Sequence, residues 1–217
     1  MESISEFLKR IDFDQDAIFH TIDDKLHTST WDRNGLFGIV GIFNDKLPVE
    51  KFTLTPKMLS DMLTFTDLES ITISEDKNLL KIQSLEVDGT INLHEEVGRE
   101  GAPKIEYLDE NTFLIKNDMI AKILRARKMY DSKLLQFKTE DDMIKIRVKG
   151  ATEEAGLDFK IHNKLSDKIN LTVGSIIYDI LEKSSGYDVQ VWLLDDKPVR
   201  LGISSSSFSI LYYVMNQ

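Results

Sequence analysis

The sequence predicts an α+β fold of two similar, strand-rich domains, each carrying two helices packed on antiparallel sheet. Three observations point there: an internal repeat, a recurring order of hydrophobic periodicities, and a polar break in mid-chain. The repeat sets Lys51-Phe-Thr-Leu-Thr-Pro-Lys-Met-Leu-Ser-Asp-Met-Leu63 against Lys168-Ile-Asn-Leu-Thr-Val-Gly-Ser-Ile-Ile-Tyr-Asp-Ile-Leu181, with one inserted residue. Lys51, Leu54 and Thr55 fall on Lys168, Leu171 and Thr172, while Asp61 and Leu63 fall on Asp179 and Leu181. Each copy is a short alternating strand running into an amphipathic helix. A repeat spanning about half the chain marks a duplicated domain, since solenoid units are typically about 20–50 residues long.

The elements follow in order. Ile4, Phe7, Leu8 and Ile11 stand at helical spacing behind Ser3, a capping residue with Glu6 three positions on. Strands are expected at Ala17–Ile22, Lys25–Trp31, Leu36–Phe43 and Lys51–Thr55, with Asp23-Asp24 and Arg33-Asn34-Gly35 as turns. Pro56 suits the first turn of a helix reaching about Phe65, because its missing N–H has no partner to lose there. Strands at Ser70–Ser74, Leu79–Ser84 and Thr90–His94 close the first half, with Val87-Asp-Gly89 as a tight turn. Residues 96–111 hold glycines, a proline and mixed charge, so the domains are expected at 1–95 and 112–217 with a connecting linker between. The second half then reads as a strand at Phe113–Ile115, a helix at Asp118–Tyr130, and strands at Lys133–Thr139, Met143–Lys149, Gly156–His162 and Lys168–Thr172. A helix at Ser175–Lys183 and strands at Val189–Leu194, Val199–Ser204 and Phe208–Val214 complete it. The order is helix, four strands, helix, three strands in each half, with one extra opening strand in the second.

Composition bounds the function. The 217 residues hold no cysteine, which excludes disulfides, thiolate metal sites and a cysteine nucleophile. The N-terminus lacks the basic and apolar stretches of a secretion signal, and no apolar run nears the ~20 residues of a membrane span. A cytoplasmic protein with no membrane partner is expected. His20, His27, His94 and His162 are scattered, and none stands three to five residues from another as helical zinc pairs do. The serine run 204–207 and the acid pairs Asp23-Asp24, Asp141-Asp142 and Asp195-Asp196 read as turns between strands. No enzyme activity, cofactor or metal is expected.

Charge is the informative property. The net charge is −10, with 37 acids against 27 bases, and a polyanion repels such a surface overall. Yet Lys116, Lys122, Arg125, Arg127 and Lys128 share one segment with Asp118 as its single acid. On a helical wheel Met119, Ile120, Ile123, Leu124, Ala126 and Tyr130 form the apolar side. Lys122, Arg125 and Lys128 fall opposite in one exposed row, and Arg127 lies on the apolar side near the helix end. An ordinary solvated face is one reading of such a row. Its lack of interleaved acids, in so acidic a chain, favours a ligand.

These residues resemble a family, the sliding clamps that make DNA polymerases processive, and among them the trimeric clamps of T-even-type bacteriophages. Ile115-Lys-Asn-Asp-Met-Ile-Ala-Lys-Ile-Leu-Arg-Ala-Arg-Lys128 is similar to the phage helix that opens the second domain, with Arg125 and Lys128 at its two basic positions. Asn34-Gly-Leu-Phe-Gly-Ile-Val40 and Tyr187-Asp-Val-Gln-Val-Trp192 resemble two further phage segments. The resemblance implies a homotrimeric ring around double-stranded DNA, bound without sequence preference, with a DNA polymerase and a clamp loader as partners. It implies the cytoplasm of an infected bacterial host if the chain is phage-encoded. Lys9, Arg10, Lys57, Lys122, Arg125, Lys128 and Lys183 would face DNA. Ile105, Tyr107, Leu108, Tyr213 and Met215 would form the partner pocket. Thr90, Ile91 and Leu93 on one edge, with Leu157, Phe159 and Ile161 on the other, would join subunits. A scaffold protein of duplicated β-rich domains, and a monomeric clamp-like processivity factor, are the alternatives.

Overall fold

A computed structural model describes residues 3–32, 34–65, 71–74, 79–83, 86–95, 103–152 and 155–217. Arg33, Ser70, Ser84 and residues 96–102, which the sequence placed in a turn, two strand ends and the linker, lie outside the described residues. The first half runs α1 (Ile4–Ile11), β1 (Ala17–Ile22), β2 (Lys25–Trp31), β3 (Phe37–Phe43), β4 (Lys51–Leu54), α2 (Pro56–Met62), β5 (Ile71–Ile73), β6 (Leu79–Gln83) and β7 (Asp88–Asn92). After a 3-10 turn at Asp109–Asn111 come β8 (Thr112–Ile115), α3 (Asn117–Tyr130), β9 (Leu135–Glu140), β10 (Met143–Lys149), β11 (Gly156–His162) and β12 (Asn170–Val173). The chain ends with α4 (Ile176–Lys183), β13 (Val189–Trp192), β14 (Val199–Ser204) and β15 (Phe208–Val214).

The chain forms two compact units, Met1–Pro103 with Ser204–Ile210, and Lys104–Ile203 with Leu211–Gln217. In the first unit the strands run in the order β4-β1-β2-β3, beside a separate meander β5-β6-β7. In the second unit the orders are β12-β9-β10-β11 and β8-β13-β14-β15. The two halves thus repeat one topology, and β8 is the only strand of the second without a counterpart among the described residues of the first.

Local chemistry explains the elements. Ser3 caps α1 by accepting from the Glu6 N–H, and Thr55 caps α2 by accepting from Met58. Asp23 and Asp24 both adopt positive φ, 50° and 59°, in the two-residue turn that pairs Ile22 with Lys25. Asp141 and Asp196 do the same at the turns before β10 and β14, so all three acid pairs stand in turns.

Several elements depart from expectation: α2 ends at Met62 rather than about Phe65, β12 spans Asn170–Val173 rather than Lys168–Thr172, β13 ends at Trp192 rather than Leu194, and β7 and β9 also differ. Of the expected Val87–Gly89 turn, Asp88 and Gly89 are instead strand: Asp88 pairs with Gln83 and Gly89 with Ile82. That register sets Ile91 opposite the fully buried Leu80. The strand at its other end stops at Asn92, because the His94 N–H donates to the Thr53 carbonyl at 3.0 Å and leaves the meander. Similarly β9 starts at Leu135, since Asp131 (φ 46°) ends α3 in left-handed conformation and the Ser132 hydroxyl bonds the Leu134 carbonyl at 2.9 Å.

Each unit has its own core. In the first, Phe7 of α1 meets the rings of Phe43 and Phe208 at 5.6 and 5.9 Å, and Phe19 stacks on Phe52 at 5.0 Å. Gly41 lets the helix approach, because a Cβ there would stand 2.9 Å from the Phe7 ring. In the second, Ile120, Ile123 and Ala126 of α3 are buried with Ile177, Ile180 and Leu181 of α4. Among the described residues no helix is long and apolar enough to cross a membrane.

Candidate functional site

The candidate DNA-facing side chains stand on α1, α2, α3 and α4, which pack as pairs, α1 with α2 and α3 with α4. The helix α3 is held at both ends by its own unit. Asp188, in the turn after α4, accepts from the Asn117 N–H at 3.0 Å and from Lys116 Nζ at 2.8 Å. That carboxylate satisfies an open N–H at the start of α3, and it titrates below its ordinary range for the same reason, the Lys116 bond leading. In return Asn117 Oδ1 accepts from the Gly186 N–H at 2.9 Å.

The basic residues of α3 separate into two kinds. Arg127 donates to Asp179 of α4 at 3.2 Å, and its guanidinium lies 5.0 Å from the Tyr178 ring centre. It is structural, holding the helix pair together by pairing with an acid of α4. Lys122 pairs with Asp118 one turn back at 3.2 Å. Arg125 and Lys128 are exposed and have no ion pair among the described residues. Only these two of the row therefore carry uncompensated charge.

The remaining candidates vary in the same way. Lys9 is exposed on α1, whereas Arg10 is 8% exposed and paired with Glu6. Lys57 is exposed on the first turn of α2, and Lys183 is half-buried at the end of α4. Among the described residues no group of three or more His, Asp or Glu is arranged to hold a metal ion.

Two of the candidate partner residues, Tyr107 and Tyr213, lie beside a cation that sequence reasoning passed over. The Arg200 guanidinium lies 4.3 Å from the Tyr107 ring centre and 3.9 Å from that of Trp192. The Tyr107 hydroxyl donates to the Pro198 carbonyl at 2.8 Å, and burial pushes both its phenol and that of Tyr213 up. Tyr213 is buried, Ile105 and Tyr107 half-buried, and Leu108 and Met215 exposed at 45% and 42%. The tail lies against β12 through a Val173–Asn216 bridge and a Gln217 N–H bond to the Thr172 carbonyl. Arg200 was discernible as a lone base between buried Val199 and Leu201 in an alternating strand, but alternation alone does not say what it stacks on.

The candidate joining strands are both sheet edges. β7 pairs only with β6, and β11 only with β10, among the described residues. On β11 Leu157, Phe159 and Ile161 share one face, partly exposed, opposite buried Val148, Ile146 and Ile144. Its other face carries an ion ladder: Asp158 binds Arg147 at 3.1 Å, and Glu140 binds Lys138 and Lys145 at 2.8 and 2.7 Å. On β7 Thr90 is exposed and Ile91 half-buried, while Leu93 lies just beyond the strand.

No protein-family model matches the chain, and no curated protein matches it in sequence. Its fold does match. PCNA of A. fulgidus, in a structure with the C-terminal region of FEN-1 bound, superposes with a TM-score of 0.73 at 14% identity, over 99% of this chain and 94% of that one. PCNA from Entamoeba histolytica superposes with a TM-score of 0.72 at 11% identity, over 99% and 93%. The chain has the two-domain α+β fold of these clamps.

Proposed function

We propose that the chain is a sliding clamp of DNA replication, of the kind formed by the trimeric clamps of T-even-type phages. Three copies close head to tail, β7 of one pairing with β11 of the next, and the ring surrounds duplex DNA. Heterologous contacts that close produce such rings, and closure removes edges that would otherwise aggregate. Arg125 and Lys128, with Lys122, Lys9 and Lys57, supply the phosphate-facing charge; Arg10 and Lys183 stand behind them. The ring tethers a DNA polymerase, and a clamp loader places it on DNA. Partners dock by a chain segment, as the C-terminal region of FEN-1 is bound to A. fulgidus PCNA, and here Tyr107, Leu108, Tyr213 and Met215 receive it.

The observation that carries this reading is the duplicated helix-pair module in the PCNA fold, with uncompensated bases on an otherwise acidic chain. A protein that slides must hold DNA by topology, because tight phosphate contacts would stall it. Few exposed cations on an acidic body fit that requirement. Retention on nicked circular and on linear duplex, after loading, tests it. A ring stays on the circle and runs off the free ends of the linear form. Equal loss from both would refute encirclement.

A further inference from the structure

We propose that β5 is a docking edge for an extended segment of another protein, taken up as an added antiparallel strand; this goes beyond the clamp reading and does not depend on it. The second half of the chain displays the occupied form of the same edge. There β8 pairs antiparallel with β13, Ile115 opposite Val189 and Phe113 opposite Val191. The Leu193 N–H donates to the Asn111 carbonyl at 3.0 Å. Ladder bonds alternate, so Val189, Val191 and Leu193 turn their backbone groups to β8. Their side chains are 0%, 0% and 1% exposed.

The entry of β8 is locked by Asn111, which is fully buried. Its Oδ1 accepts from Ser166 N–H at 3.1 Å, Ser166 Oγ at 2.7 Å and Asp167 N–H at 3.3 Å, and its Nδ2 donates to Asp167 at 2.6 Å. Asn163 adds a bond to the Thr112 carbonyl at 2.7 Å.

In the first half β5 holds the place of β13: it follows the second helix and opens the meander. Among the described residues it pairs with β6 alone. The Ser74 N–H donates to the Leu79 carbonyl at 2.8 Å, so Ser74 and Thr72 face β6 and the backbone groups of Ile71 and Ile73 face away from it, on the side where no described strand pairs. Lys51 aligns with Lys168, which puts the segment before β4 where 163–167 stands in the second half. Between Pro48, Val49, Glu50 and Lys51 on one side, and Thr72, Ile73 and Ser74 on the other, is a cavity of about 400 Å³. It lies where β8 and Asn111 sit in the other module. Ile73 stays half-buried beside it.

Outward backbone groups at an edge take up a strand, and flanking pockets read its alternate side chains. The chemistry of the occupant follows from Asn111-Thr-Phe-Leu-Ile115: an amide side chain to bond the 48–51 segment, then bulky apolar residues at every second position.

The probe is a fluorescein-labelled peptide with the sequence of residues 110–116, titrated with the full chain and followed by anisotropy and amide hydrogen exchange. The expected result is a saturable rise, with new protection at the Ile71 and Ile73 amides. Ile73→Pro removes an outward N–H while leaving the β6 ladder intact, and should weaken binding about tenfold, the worth of one ladder bond; Ile73→Val should not. No saturable rise up to about 1 mM peptide, a concentration at which binding is still only millimolar, overturns the proposal. So does protection at β13 amides instead of β5, or self-association of the chain through β5. If Ile73→Pro does not fold, the protection pattern on the unaltered chain decides the matter.

Discussion

Of the four basic residues of α3, Lys122 is paired with Asp118, Arg125 and Lys128 should serve DNA and Arg127 should serve the fold, and deleting the DNA pair and Arg127 separately tests the division. Arg125 and Lys128 are exposed and have no ion pair among the described residues, so an Arg125→Ala/Lys128→Ala double variant should melt within about ±0.5 kcal/mol of the parent. Each phosphate contact contributes about 0.9 to the slope of log K against log salt, so the double variant should lower that slope by up to about 1.8 for each chain engaged. Arg127→Ala should do the opposite. It removes a partly exposed ion pair with Asp179, worth up to about 1 kcal/mol, and a stack on Tyr178 worth about 0.5–1 kcal/mol. The expected loss of about 1–2 kcal/mol corresponds to a Tm fall of about 2–8 °C at this chain length. Its salt slope should stay near the parent's. The assays are thermal unfolding and DNA retention across a salt series. An unchanged slope in the double variant, or a reduced slope in Arg127→Ala without a lower Tm, would refute the assignment.

Further outcomes follow from the same geometry. Asn111→Ala leaves the Ser166 and Asp167 amides without their acceptor in a buried place, and should cost about 2–4 kcal/mol by thermal or denaturant unfolding. Glu140 is held down to about 2, first by Lys138 and then by Lys145. A carboxylate depressed in the folded state stabilises above its unfolded value and ceases to as pH falls through the folded one. The Tm gap between the parent and Glu140→Gln should therefore be full at pH 5 and close toward pH 2. Phe159→Asp, on the partly exposed apolar face of β11, should shift the chain to monomer in sedimentation while each unit still unfolds cooperatively.

Much of the fold was legible because the residues that define it act locally. Strands β1, β2, β10, β11, β14 and β15 have the bounds that alternation and turn residues predicted, and the helices begin at Ser3 and Thr55 because those hydroxyls cap them. Where two local signals competed, the longer-range one won: Asp88 and Gly89 carry turn chemistry, yet the pairing of Ile91 with Leu80 draws them into β7. For the candidate site, the basic row was visible from helical spacing, and so was the odd position of Arg127. Its partner Asp179 was not, being 52 residues away. The Arg200 stack was half hidden for the same reason: Trp192 faces Arg200 across the β13–β14 hairpin, but Tyr107 comes from the linker, which nothing local relates to them.

The most direct test of the account is the mass of the chain in solution, by light scattering after size exclusion over a range of concentrations. Closure through β7 and β11 predicts a species of three times the 24.9 kDa chain mass, lost in Phe159→Asp. A monomer at every concentration, indistinguishable from that variant, would contradict the ring.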